Sequence, residues 1–169
     1  MTDTNNEQRS WEGVFESNIR EDGDNLVTIP EPLFDEDGPN ILNTGVSASW
    51  SYDRSGLVLI SNVRLTDKSA DKSMKYKFVA SNDIDSSRVT TVPGRFFADY
   101  EGHHGPISEP ELPHNPRFRY GQKVFFAYYE GMADPDNKQS CYVLTESQLT
   151  DVMGGEAPNV SYGSVPSFI

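Results

Sequence analysis

Three histidines, His103, His104 and His114, fall within one stretch, EGHHGPISEPELPHNP (101–116), with Asp99 and Glu101 beside it. Imidazoles and carboxylates are the ligands a zinc ion takes, and Cys141 would add a thiolate. The spacing argues against it. Adjacent side chains point apart along an extended chain, and the pattern matches no established zinc arrangement. A single cysteine also excludes a four-cysteine site and an internal disulfide framework. The histidines are expected to bond to backbone or water in a polar loop, and no metal or cofactor is expected.

Clustered oxygens occur at Asp22-Gly23-Asp24-Asn25 and at Asp134-Pro135-Asp136-Asn137. Neither completes a calcium loop. Lys138 stands where a third ligand of the second cluster would be, and no glutamate follows at the required distance. Asp-Gly and Asp-Pro are turn residues, and turns are the expectation. Nucleophilic chemistry fares no better. The chain has no Gly-x-Ser-x-Gly elbow, no phosphate-binding glycine loop and no dinucleotide fingerprint. Ser69-Ala70-Asp71-Lys72 has the Ser-x-x-Lys form without its partner motifs. Cys141 reads as a small core residue on a strand. Paired carboxylates for glycoside hydrolysis could be drawn from many acids, so they indicate nothing. The chain is expected not to be an enzyme.

Arg117, Arg119, Tyr120 and Lys123 offer the one constellation with a binding rationale. They open RFRYGQKVFFAYYEG (117–131), the most aromatic run in the chain. Cations beside aromatics resemble, in composition, the stacking platforms of oligonucleotide-binding barrels. Lys75, Lys77, Arg88 and Arg95 would extend such a surface. The formal net charge of −12 opposes nucleic acid as a partner, and a core short of other large groups needs the same rings.

The elements that would position these residues are strands. The run 117–131 reads as one long strand. Phe118, Tyr120, Val124, Phe126 and Tyr128 lie on one face, and the other face turns apolar at Phe125, Ala127 and Tyr129. Val46, Ala48, Trp50 and Tyr52 alternate with serines, which predicts one buried and one wet face. The turn Asp53-Arg54-Ser55-Gly56 leads into Leu57–Thr66 and predicts a hairpin. Further strands are expected over 26–29, 74–81, 88–92, 95–100 and 140–144. Thr145 is a helix N-cap, and Gln148 three residues on completes a capping box. The expected helix carries Leu149, Val152 and Met153 and stops at Gly154-Gly155. Seven or eight short strands without βαβ alternation predict a mainly β fold. The expected form is an antiparallel sandwich or barrel with one short C-terminal helix and extended arms at both ends.

Charge sets the organisation. Residues 1–40 hold eleven acids against two bases, a balance of −9, while 41–169 hold fifteen against twelve, only −3. The expected division is an acidic, largely extended arm over 1–39, a β domain over 40–155 and an extended tail over 156–169. No apolar run approaches the ~20 residues a membrane span needs. The polar start MTDTNNEQRS is not a signal peptide. Non-specific binding to nucleic acid or to an anionic membrane is not expected.

The arms are what require an explanation. Fixing a residue costs roughly 1–2 kcal/mol of backbone entropy, which an isolated globule gains little by meeting. Packing on a neighbour offsets it, at about 1.5–3 kcal/mol for each large apolar side chain buried. The expectation is a non-enzymatic structural protein of a symmetric assembly. A virion component is the analogous class: capsid-associated, head-tail connector or tail protein, found in the virion or host cytoplasm. Trp11, Phe15, Tyr162, Val165, Phe168 and Ile169 would contact other copies or other virion subunits. The alternative is a β-domain that binds single-stranded nucleic acid or glycan through the 117–131 strand.

Overall fold

A computed structural model describes residues 11–21, 24–34, 41–53, 55–63, 76–98, 118–129 and 140–152, with the backbone alone at Trp11, Glu12 and Tyr129. Among them run eight strands: β1 (Trp11–Asn18), β2 (Leu26–Thr28), β3 (Ser47–Asp53), β4 (Val58–Ser61), β5 (Tyr76–Asp83), β6 (Val89–Thr91), β7 (Lys123–Tyr129) and β8 (Ser140–Thr145). One helix, α1 (Glu146–Val152), follows β8 directly. Six strands form an antiparallel sheet in the order β1-β7-β8-β4-β3-β5, and β2 pairs with β6 in a second, two-stranded sheet. The large sheet is open, so the sandwich expectation holds and the barrel does not.

Period-two patterning explains both covered faces. On β7, Val124 and Phe126 point into the larger apolar cluster, while Phe125 and Ala127 point into the smaller one. The larger cluster lies between the sheet and the β2–β6 layer. It gathers Phe15, Trp50, Ile60 and Val143 from the sheet with Val27, Leu33, Phe96 and Phe118. Side chains tie the layers together: Ser17 Oγ donates to the Thr28 carbonyl at 2.7 Å, and Asn82 Nδ2 donates to the Thr91 carbonyl at 2.7 Å. On the opposite face α1 sets Leu149 against Val14, Phe125 and Leu144. The expected capping box forms: Gln148 N–H donates to Thr145 Oγ1 at 3.2 Å, and Thr145 N–H donates to Gln148 Oε1 at 3.1 Å.

Several expectations need correction. The segment read as an acidic arm enters the body over residues 11–34, as β1, β2 and the 3-10 turn Glu31–Phe34. Val14 and Phe15 point into the two apolar clusters on opposite faces of the strand, and Gly13 leaves room for the rings of Tyr128 and Phe15. The run 117–131 is not one strand. Gly121 takes φ +79°, which turns the chain between Phe118 and Lys123. Of the strand expected over 95–100, the described residues 95–98 form none. The chain makes a 3-10 turn over Gly94–Phe96 and then a single parallel bridge from Phe97 to Phe118, which buries both adjacent phenylalanines.

The serines of β3 were expected in water, yet Ser49 and Ser51 are buried, because β3 is an interior strand covered on both faces. Ser49 stands opposite Ser61, and Ser61 opposite Ser140, so one row of small hydroxyls crosses β3, β4 and β8. Val46 is 43% exposed and lies before β3 begins. The strand expected over 57–66 ends at Ser61. Within β5 a bulge opposite Trp50/Ser51 turns Val79 toward the core.

Candidate functional site

Four side chains had a binding rationale in the sequence, and three of them, Arg119, Tyr120 and Lys123, lie among the described residues. Arg117 lies outside the described residues. Arg119 and Tyr120 stand on the turn before β7, both exposed, and Lys123 begins β7 itself. The turn is held from within. Gln122 Oε1 accepts from the Arg119 N–H at 3.0 Å, and the Arg119 carbonyl accepts from the Gln122 N–H at 3.2 Å. Tyr120 is 40% exposed, with its ring stacked on buried Phe97 at 5.0 Å between centroids. Lys123 is engaged elsewhere, its Nζ 3.7 Å from Glu16 Oε2 on the neighbouring strand. Both partners of that pair are largely exposed, so it adds little stability.

The remaining aromatics and cations are used in the fold. Phe118, Phe125 and Phe126 are core residues with no ring face in water. Lys77 Nζ sits 5.9 Å from the centre of the Tyr52 ring. Arg88 is half-buried and donates from Nε to the Ile29 carbonyl at 3.2 Å. Arg95 is half-buried, and Lys75 lies outside the described residues. Glu21 packs where a side chain on Gly121 would stand, which places an acid next to the turn.

The expected contact residues separate in the same way. Phe15 is 7% exposed and stacks on Tyr128, so it is a core residue and not a partner contact. Trp11 is placed by its backbone at the start of β1, opposite Tyr129. Tyr162, Val165, Phe168 and Ile169 lie outside the described residues, as do the histidine stretch and the Asp134–Asp136 cluster. Cys141 is buried, and burial pushes its thiol far above its ordinary value, so it stays protonated. Among the described residues no three His, Cys, Asp or Glu side chains stand close enough to hold a metal ion. No described helix is long and apolar enough to cross a membrane.

One feature had escaped the sequence reading, the outer edge of β1. Ile19 sends its N–H to the Gln122 carbonyl at 2.9 Å, and its carbonyl accepts from the Gly121 N–H at 2.8 Å, both on the β7 side. Backbone groups alternate sides along an antiparallel ladder. Ser17 and Phe15 therefore also bond toward β7, while Asn18, Glu16 and Val14 direct N–H and C=O outward. An antiparallel bridge from Ile19 to Val27 brings β2 against Asn18 on this side, while no described strand pairs with Glu16 or Val14 there. Arg20, the next outward position, gives its N–H to the Leu26 carbonyl at 2.9 Å, so this side already receives one strand at its end. Residues 14–19, Val-Phe-Glu-Ser-Asn-Ile, carry no period-two alternation that would have marked the strand.

The chain matches no family model, no curated protein and no solved structure.

Proposed function

We propose that the protein is a non-enzymatic structural subunit of a symmetric assembly, a virion component in the first instance, in which extended terminal segments make the contacts between copies. The observation that carries this reading is the outer edge of β1 at the margin of a six-stranded sheet. An edge with open N–H and C=O groups is a template for a further strand. The chain itself continues for seventeen residues after α1, and residues 157–169 hold five large apolar side chains and no charged one. Ordering such a stretch is favourable when it packs against a neighbour. The test is light scattering on the full chain and on a chain ending at residue 156. The reading requires a defined oligomer for the first and a folded, smaller species for the second. A full chain that is monomeric alone and with candidate partner subunits overturns it.

A second reading rests on Tyr120. An exposed ring stacked on a buried one, next to exposed Arg119, forms a small rigid surface for a base or a sugar. Under it, Tyr120→Ala or Arg119→Ala weakens binding of a single-stranded oligonucleotide or glycan at low salt while the thermal midpoint stays in place. Absence of binding by the unmutated chain removes this reading.

A further inference from the structure

Tyr120 is the one exposed aromatic among the described side chains. One side of its ring lies against Phe97, with centroids 5.0 Å apart and planes inclined by 30°. Phe97 is buried and meets Phe118 edge-on at 6.3 Å. The exposed ring therefore rests on the core. Its backbone is held as firmly. Gly121 makes the corner at φ +79°, and its N–H donates to the Ile19 carbonyl at 2.8 Å. The Gln122 side chain closes the turn on the Arg119 N–H. A ring fixed before a ligand arrives has little freedom left to lose on binding.

The groups around this ring decide what it can hold. The end of β1 lies against the turn, and Glu21 Oε2 stands 3.2 Å from where a Cβ on Gly121 would be. Arg20, Glu21 and Arg119 are all exposed. Lys123, which begins the next strand, faces Glu16. Cations and carboxylates thus share the corner, and their charges nearly cancel. A phosphodiester strand needs cations in excess along its path, and the net charge of −12 opposes it further. A neutral sugar ring has the opposite requirements. Its hydroxyls donate to a carboxylate and accept from a guanidinium. Its C–H face packs on the electron-rich face of an aromatic ring.

Resting on the second reading above, we propose that Tyr120, Arg119 and Glu21 form a subsite for a neutral pyranose ring of a glycan. The apolar face of the sugar lies on the side of Tyr120 turned away from Phe97. Glu21 accepts from sugar hydroxyls, and the Arg119 guanidinium donates to them. Tyr120 supplies the contact area, and the two charged groups select hydroxyls over phosphates.

The experiment titrates the full chain with maltohexaose, cellohexaose and chitohexaose, and separately with a ten-residue oligothymidine at low salt, following backbone amide shifts. The expected result is that at least one of the three sugars binds, moves the amides of Gly121 and Gln122, and binds more tightly than the oligothymidine. Tyr120→Ala is expected to weaken sugar binding about tenfold, in keeping with loss of one stacking contact. Tyr120→Phe keeps the ring and should bind within about twofold of the parent. Glu21→Gln touches no buried group and should weaken sugar binding about fivefold, so it decides the matter if Tyr120→Ala lowers the thermal midpoint sharply. A sugar that leaves the Gly121 and Gln122 amides unmoved, or binds both variants as it does the parent, overturns the subsite. Oligothymidine binding lost in Tyr120→Ala, with none of the sugars bound, overturns the sugar assignment and leaves the second reading standing. No binding of any probe overturns both.

Discussion

Tyr142 on β8 donates its hydroxyl to Asp53 Oδ2 on β3 at 2.8 Å, reaching across the intervening strand β4. The other oxygen of the same carboxylate accepts from Ser55 N–H at 2.9 Å, Ser55 Oγ at 2.7 Å and Leu57 N–H at 3.1 Å. One side chain therefore shapes the β3–β4 turn and fastens it to the next strand but one. Asp53→Ala removes all four bonds and is expected to cost roughly 2–4 kcal/mol, whereas Tyr142→Phe removes one and costs about 1–1.5 kcal/mol. Denaturant unfolding of both single variants and the double variant checks this. The two effects should fall short of additive, because they share a bond.

Gly13 is a steric requirement of the β1–β7 pair. A Cβ there would stand 2.5 Å from Tyr128 Cε1 and 2.8 Å from Phe15 Cε2, where those two rings stack at 6.2 Å. Gly13→Ala is expected to destabilise the chain by about 1–3 kcal/mol, the usual range for overpacking. Pairing it with Tyr128→Ala should recover part of the loss, which a thermal melt of the three variants would read.

The capping box at α1 predicts a matched pair of losses. Thr145→Ala and Gln148→Ala each leave a backbone N–H without its partner, and each is expected to cost about 1 kcal/mol. Thr145→Ser should be close to neutral. Chemical denaturation of the three variants distinguishes a cap from simple burial, since burial alone would penalise the serine variant as well.

Cys141 predicts the behaviour of the thiol in alkali. Its folded-state value is raised by burial above the ordinary value of 9.0. The folded chain then holds a proton that the unfolded chain releases. Its contribution to stability is fully present below pH ~9 and declines above it, by at most about 1.4 kcal/mol per pH unit. A Cys141→Ser variant should lack this slope. At neutral pH a thiol reagent should modify Cys141 only at the rate of unfolding.

Much of the fold was legible because it rests on local pattern. The hairpin at Asp53–Gly56 and the cap at Thr145 were visible, since each depends on residues within four positions of one another. The two faces of β7 were visible as well, with Val124 and Phe126 alternating against Phe125 and Ala127. What stayed hidden depends on distant chain. Burial of Ser49 and Ser51 follows from the placement of β3 inside the sheet, which no residue near them specifies. Both hydroxyls lack a hydrogen-bond partner, and the structure offers no physical account of why serine is used there. The role of residues 11–18 depends on β7, more than a hundred positions away. The surroundings of the candidate binding residues were hidden for a related reason. Lys123 finds Glu16 only once β1 is in place, and the rings of Phe125 and Phe126 fill a core that composition alone could not locate.

That distant pairing governs when the molecule can become itself. Phe15 meets Phe126, and Ser17 meets Val124, so apart from one bridge to β2 at Ile19 the first strand of the sheet has no partner until the final third of the chain exists. During synthesis β1 waits as an exposed, half-apolar segment while β3 and β4 are already able to form their hairpin. Closing so long a loop comes late and slowly compared with local steps. The margin that completes the sheet is thus the last part to be secured in folding, and the interval before it closes is when the nascent chain is most open to pairing with the wrong strand.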